Sequence, residues 1–127
     1  MSLPNDRRYT KDHEWVKVEG DSAVIGITEF AQSELGELVF VDLPAVGKAI
    51  TQGATLCVVE STKAASDVYA PLSGTVKEVN SPLGDSPATV NTDPYGSGWL
   101  VRIENFNNEE IGSLMSAEQY EQHLTGK

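Results

Sequence analysis

Short runs of β-branched and aromatic residues, each closed by glycine, proline or a polar cluster, recur along most of the chain. Residues 14–18 and 22–27 flank Glu19-Gly20-Asp21, a pattern that predicts a β-hairpin. At Thr28 the period changes. Thr28 can serve as an N-cap, Glu29 complements the helix dipole and Gly36 can close the end, so one short helix is expected over residues 28–36. Its apolar side is formed by Ala31 and Leu35 with help from Phe30.

Residues 37–43 return to strand character and stop at Pro44, which cannot donate to a ladder. Gly47 and Gly53 punctuate two further strands, at residues 48–51 and 54–59. Glu60, Ser61 and Thr62 read as a turn, and strand character resumes at residues 68–70 and 74–79. Residues 99–103 place Trp99, Val101 and Ile103 on one face of a last strand. Residues 80–98 hold Pro82, Gly84, Pro87, Pro94, Gly96 and Gly98 and should be mostly loop, anchored to the core by Tyr95 and Trp99. Ser116 and Gln119 have capping-box spacing and open a C-terminal helix reaching about Leu124, with Tyr120 and Leu124 on one side. Many short strands with one internal and one terminal helix make a mainly β protein.

A length of 127 residues and 39% hydrophobic content suit a single modest domain. No apolar run approaches the roughly 18 residues of a spanning helix, and a secretion signal's apolar stretch is missing from the start. Cytoplasm is the simpler expectation, a processed mitochondrial form being equally compatible with the residues. The net charge of −10 repels phosphate backbones and anionic lipid, which argues against nucleic acid or membrane as partner. The same field would steer the chain towards basic patches on other proteins. Cys57 lies in a strand-like run and has no second cysteine to pair with, so it reads as a small core residue. His13-Glu14 begins like a zinc-protease motif, but Lys17 stands where the second histidine belongs and His123 is the only other one. The sequence has no nucleophile elbow, dinucleotide loop or evident pair of catalytic carboxylates.

Lys63 stands between two strand-like runs, so its ammonium is expected at a hairpin tip where a modifying enzyme can reach it. Residues 60–67, Glu-Ser-Thr-Lys-Ala-Ala-Ser-Asp, followed by Pro71, Ser73, Gly74 and Val76, resemble the lipoyl-lysine hairpin of the glycine cleavage system H protein family. Lys63 is the matching lysine. The resemblance continues in order through residues 9–16, 24–36, 39–47 and 90–99. It implies a barrel-sandwich hybrid of two small antiparallel sheets, with a lipoyl-type core at about residues 20–105 and the C-terminal helix within residues 114–124.

By the same resemblance the chain is a carrier and cosubstrate with no turnover of its own. Lipoate joined to Lys63 by an amide would extend on the order of 12 Å from the backbone, counted from bond lengths. The implied partners are a pyridoxal-phosphate glycine decarboxylase, a tetrahydrofolate-dependent aminomethyltransferase, dihydrolipoamide dehydrogenase, and a lipoate ligase or lipoyl transferase, the carrier itself being a monomer. Glu14 and Asp67 match family positions near a cleft that shelters the loaded arm. Asp12 and Glu34 depart from the serine and histidine found in other members. Three alternatives stay open. One is another swinging-arm carrier, such as a 2-oxo acid dehydrogenase lipoyl domain, a biotin carrier or a lipoyl relay, although Thr62 and Ala64 are not the usual neighbours of a lysine in the first two. Another is an unmodified β module in which Lys63 is an ordinary tip residue. The last is an enzyme using Lys63 as a Schiff-base amine, which would need desolvation that a polar tip does not provide.

Overall fold

The computed structural model describes residues 3–126. Strand β1 (Arg8–Tyr9) precedes the expected hairpin of β2 (Glu14–Glu19) and β3 (Ser22–Ile27), which are joined through Gly20 and Asp21 with Gly20 at φ +63°. Helix α1 (Glu29–Leu35) follows directly. Thr28 accepts from the Ala31 amide, and Gly36, at φ +84°, returns its own N–H to the Gln32 carbonyl. Ala31 and Leu35 pack on the core, whereas Phe30 lies instead against His13, ring centroids 4.6 Å apart.

The strands that follow are β4 (Leu38–Asp42), β5 (Ala49–Ile50), β6 (Thr55–Ser61), β7 (Ala65–Tyr69), β8 (Gly74–Val79) and β9 (Val101–Glu104). Two antiparallel sheets result, one ordered β1-β2-β3-β9-β8-β5 and one ordered β4-β6-β7. The core lies between them. Val16, Ile25, Val101 and Ile103 of the large sheet meet Leu38, Val41, Val59 and Val68 of the small one. This is the expected two-sheet sandwich, although the sheets are unequal, with six strands against three. Cys57 is buried in this core, and burial pushes its thiol up to about 12.

Several local expectations need correction. Glu60 and Ser61 are strand rather than turn, and β7 resumes at Ala65 rather than Val68. Pairing of β6 with both neighbours extends it past its β-branched residues, so tertiary hydrogen bonding overrides weak local propensity. Trp99 precedes β9 and joins a second cluster of Tyr9, Trp15, Val24 and Tyr120, while Leu100 takes a place in the main core. The segment over residues 80–98 contains a 3-10 turn (Ser81–Gly84) and helix α2 (Thr89–Thr92). Helix α3 (Asn108–Gly112) and β1 are additional elements. The C-terminal helix α4 spans Ala117–Gly126, starting where the capping box places it, inside the 114–124 range, and ending two residues past Leu124. Its capping box is present: Ser116 Oγ accepts from the Gln119 amide and Gln119 Oε1 from the Ser116 amide.

Trp15 joins the large sheet to the 80–98 segment. Its ring crosses Gly26 on β3, and its indole N–H is shared between the Ile27 and Pro94 carbonyls at 3.0 Å each. A Cβ at Gly26 would stand 2.6 Å from the Trp15 ring carbons. Gly26→Ala should therefore lower stability by about 1–3 kcal/mol through overpacking. Gly47→Ala, with φ +93° and open space around it, should cost about 1 kcal/mol from backbone conformation alone. Urea unfolding of both variants checks the order.

Candidate functional site

The β6–β7 hairpin closes through Thr62, Lys63 and Ala64. Ser61 fixes this loop with one side chain and its own amide. Its Oγ accepts from the Lys63 and Ala64 amides at 3.1 Å each, and its N–H donates to the Ala64 carbonyl at 2.8 Å. The Thr62 amide donates to the Glu37 carbonyl at 3.2 Å, tying the loop to the chain just before β4. Lys63 is exposed at the apex, as its sequence context predicts. Its stem passes over Gly36, where a Cβ would meet Lys63 Cε at 3.1 Å, and Nζ donates to the Glu34 carbonyl at 3.1 Å. No carboxylate among the described residues forms a salt bridge with it. An exposed amine on a fixed backbone, a carbonyl its only polar partner among the described residues, suits attachment through an amide.

The platform under the tip depends on Asn91, whose side-chain role sequence reasoning did not foresee. Asn91 Oδ1 accepts from the Leu38 amide at 2.9 Å, while Nδ2 donates to the Gly36 carbonyl and to Gln32 Oε1, each at 2.8 Å. One amide thus binds the end of α1 to the start of β4. The sequence signal was its place in the 90–99 block of the family resemblance, which marks the position but not the bonds it makes.

Glu14 and Asp67 occupy different environments. Asp67 is exposed on the outward face of β7 that it shares with Ala65 and Tyr69. Glu14 is 3% exposed, accepting from Thr10 Oγ1 at 2.6 Å and from the Tyr69 amide at 3.1 Å. It lines a cleft of about 370 Å³, together with Thr10, Lys11, Asp12, Tyr69 and Pro71. Burial raises its carboxyl to about 7, more than the two hydrogen bonds lower it, and Asp12 adds to the rise. The 65–69 strand therefore runs from the lysine tip towards the cleft, with Asp67 along the way and Glu14 beside its far end.

His13, the start of the zinc-like motif, sits at φ +73° with Nδ1 2.7 Å from the Tyr120 hydroxyl, which also contacts Thr28 Oγ1 at 2.8 Å. Its role is to join α4 to the cap of α1.

The family model described as "Glycine cleavage H-protein" matches residues 7–127. The chain belongs to that family. It is 55% identical over 122 residues to the glycine cleavage system H protein of Bacillus subtilis, covering 96% of each chain. It is 52% identical over 122 residues to that of Carboxydothermus hydrogenoformans, covering 96% of this chain and 94% of the other. A crystal structure of the Mycobacterium marinum glycine cleavage system H protein superposes with a TM-score of 0.86 at 43% identity, covering 98% of this chain and all of that one. The match supports the two-sheet lipoyl-type fold and the carrier role in glycine cleavage.

Glu14 yields a prediction whose sign is fixed by its burial. Its folded value of about 7 lies above the ordinary 4.5, so its favourable contribution is full below pH 4.5 and is lost as pH rises through 7. The loss should reach about 3 kcal/mol at most, from 1.36 kcal/mol per pH unit. In Glu14→Gln this component should vanish. Urea unfolding of both proteins between pH 4.5 and 8 measures it, and carboxyl NMR of wild type should show a midpoint near 7.

Proposed function

We propose that Lys63 carries a lipoyl group in amide linkage and that the chain shuttles the aminomethyl unit from a pyridoxal-phosphate glycine decarboxylase to a tetrahydrofolate-dependent aminomethyltransferase. The observation that carries this reading is the exposed Lys63 amine at the apex of a hairpin held from within by Ser61 and from the side by Glu37. When attached, the lipoyl group supplies a disulfide that opens to take the one-carbon unit and is restored by dihydrolipoamide dehydrogenase. The protein supplies attachment, reach and recognition.

Each residue then has a definite task. Lys63 Nζ gives up its positive charge on acylation by a lipoate ligase or lipoyl transferase, and with it the ammonium contact to the Glu34 carbonyl. Asp67 lies four residues along the chain from Lys63, at most about 13 Å at strand rise, a span comparable with the arm. Its exposed carboxylate is suited to meet a cationic amine at the arm's end. Glu14 is two residues further on, beside Tyr69, and holds a carboxyl that burial keeps near its titration point. An arriving ammonium supplies the countercharge that Glu14 otherwise lacks, so it favours the ionised carboxylate. The chain works as a monomeric cytoplasmic carrier, a single domain over residues 1–127 without a catalytic set of its own. No helix among the described residues is long and apolar enough to cross a membrane.

Intact-mass spectrometry of protein from lipoate-supplied cells should show one lipoyl adduct on wild type and none on Lys63→Arg. A folded wild-type chain left unmodified beside an active ligase overturns the attachment. Asp67→Ala should speed loss of the loaded aminomethyl unit by about two- to fivefold, the size of an exposed ion pair. Unchanged loss in a mass-spectrometric time course removes Asp67 from this role.

A further inference from the structure

Val39 and Phe40 stand side by side on the outer surface, 52% and 48% exposed. In a regular strand, consecutive side chains point to opposite faces. Here the register between β4 and β6 slips between Leu38 and Phe40, so Leu38 and Val41 reach the core while both residues between them turn outward. A bulge can blunt an edge strand against unwanted pairing, and β4 is an edge strand. That accounts for the slip but not for two apolar side chains at the outward positions, where charge would serve better. Bulges also re-aim side chains beside functional sites. This one qualifies, because Leu38 lies opposite Ser61 and Phe40 opposite Glu60, at the base of the Lys63 loop.

The surrounding charge is one-sided. Glu29, Glu34, Glu37, Asp42, Glu60 and Asp67 are the acidic residues of the 28–47 and 54–70 segments, and Lys63 is their only cation. The other basic residues of the described chain lie on or beside the six-stranded sheet. An apolar pair flanked by carboxylates and one reactive lysine fits a surface with a shallow apolar recess rimmed by lysine or arginine.

Distance selects which partner this is. The enzyme that builds the amide must let Lys63 Nζ displace the activating group from a lipoyl carboxyl and lose a proton, at a nitrogen only about 6 Å from Cα. It must therefore close over the flanks of the tip. Enzymes working at the far end of the finished arm, on the order of 12 Å out, can stand further off. We infer that Val39 and Phe40 are the apolar anchor on which the acyl-attaching enzyme docks. The inference rests on the reading of Lys63 as the attachment lysine.

The test is the initial rate of lipoyl addition to the full chain by lipoate ligase with lipoate and ATP, followed by intact mass. The double variant Val39→Ser/Phe40→Ser should lose about tenfold in kcat/KM, as for truncation of an interface hot spot. Val46→Ser, at a position 62% exposed in the loop after β4, should react like wild type. Glu37→Lys/Asp42→Lys should also slow the reaction and flatten its dependence on salt. This second variant decides the matter if the first does not fold. Undiminished acylation of a folded Val39→Ser/Phe40→Ser protein overturns the docking alone. A wild-type chain that accepts no lipoyl group brings down the reading of Lys63, and the docking with it.

Discussion

The turn from α1 into β4 has to be rigid, because the lysine loop leans on it from above and the core is packed beneath it. Asn91 supplies that rigidity by satisfying the Gly36 carbonyl and the Leu38 amide with one side chain. Gly36 permits the positive φ, Leu38 anchors the strand in the core, and the Glu37 carbonyl between them receives the Thr62 amide. Buried backbone groups left unpaired here would cost about 1–3 kcal/mol each. The position of Lys63 is thus set by a residue far along the chain, in a segment whose own fold depends on Trp15 and Asn80.

The same economy governs charge. The chain leaves most carboxylates in water and buries Glu14, giving it two hydrogen bonds and no cation among the described salt bridges. Burial without a countercharge leaves the group near its midpoint, about half ionised around pH 7. Such a carboxyl responds strongly to a cation placed beside it, as the proposed contact with an arriving amine requires.

Much of the fold was legible in the sequence because the decisive signals were local. Glycine and aspartate between two β-branched runs gave the β2–β3 hairpin; Thr28, Glu29 and Gly36 bounded α1; and Ser116 with Gln119 opened α4. What escaped was set by distant partners. Glu60, Ser61, Ala65 and Ser66 have little reason to be strand until β4 and β7 pair with β6. Trp99 leaves the expected face because Tyr9, Trp15 and Tyr120 offer an aromatic cluster elsewhere. At the site, Lys63 stood out from its flanking pattern. The burial of Glu14 and the three hydrogen bonds of the Asn91 side chain could not be read, since both depend on which loops close over them.

A carrier whose proposed cargo is a strained cyclic disulfide risks exchange with any thiolate of its own, a side reaction that would trap the cargo in a mixed disulfide. Cys57 is the chain's single thiol, and its placement among core side chains keeps it both unreachable and protonated. On the proposed reading, the fold insulates that cargo from the chain's own thiol chemistry and leaves the opening and closing of the ring to partner enzymes.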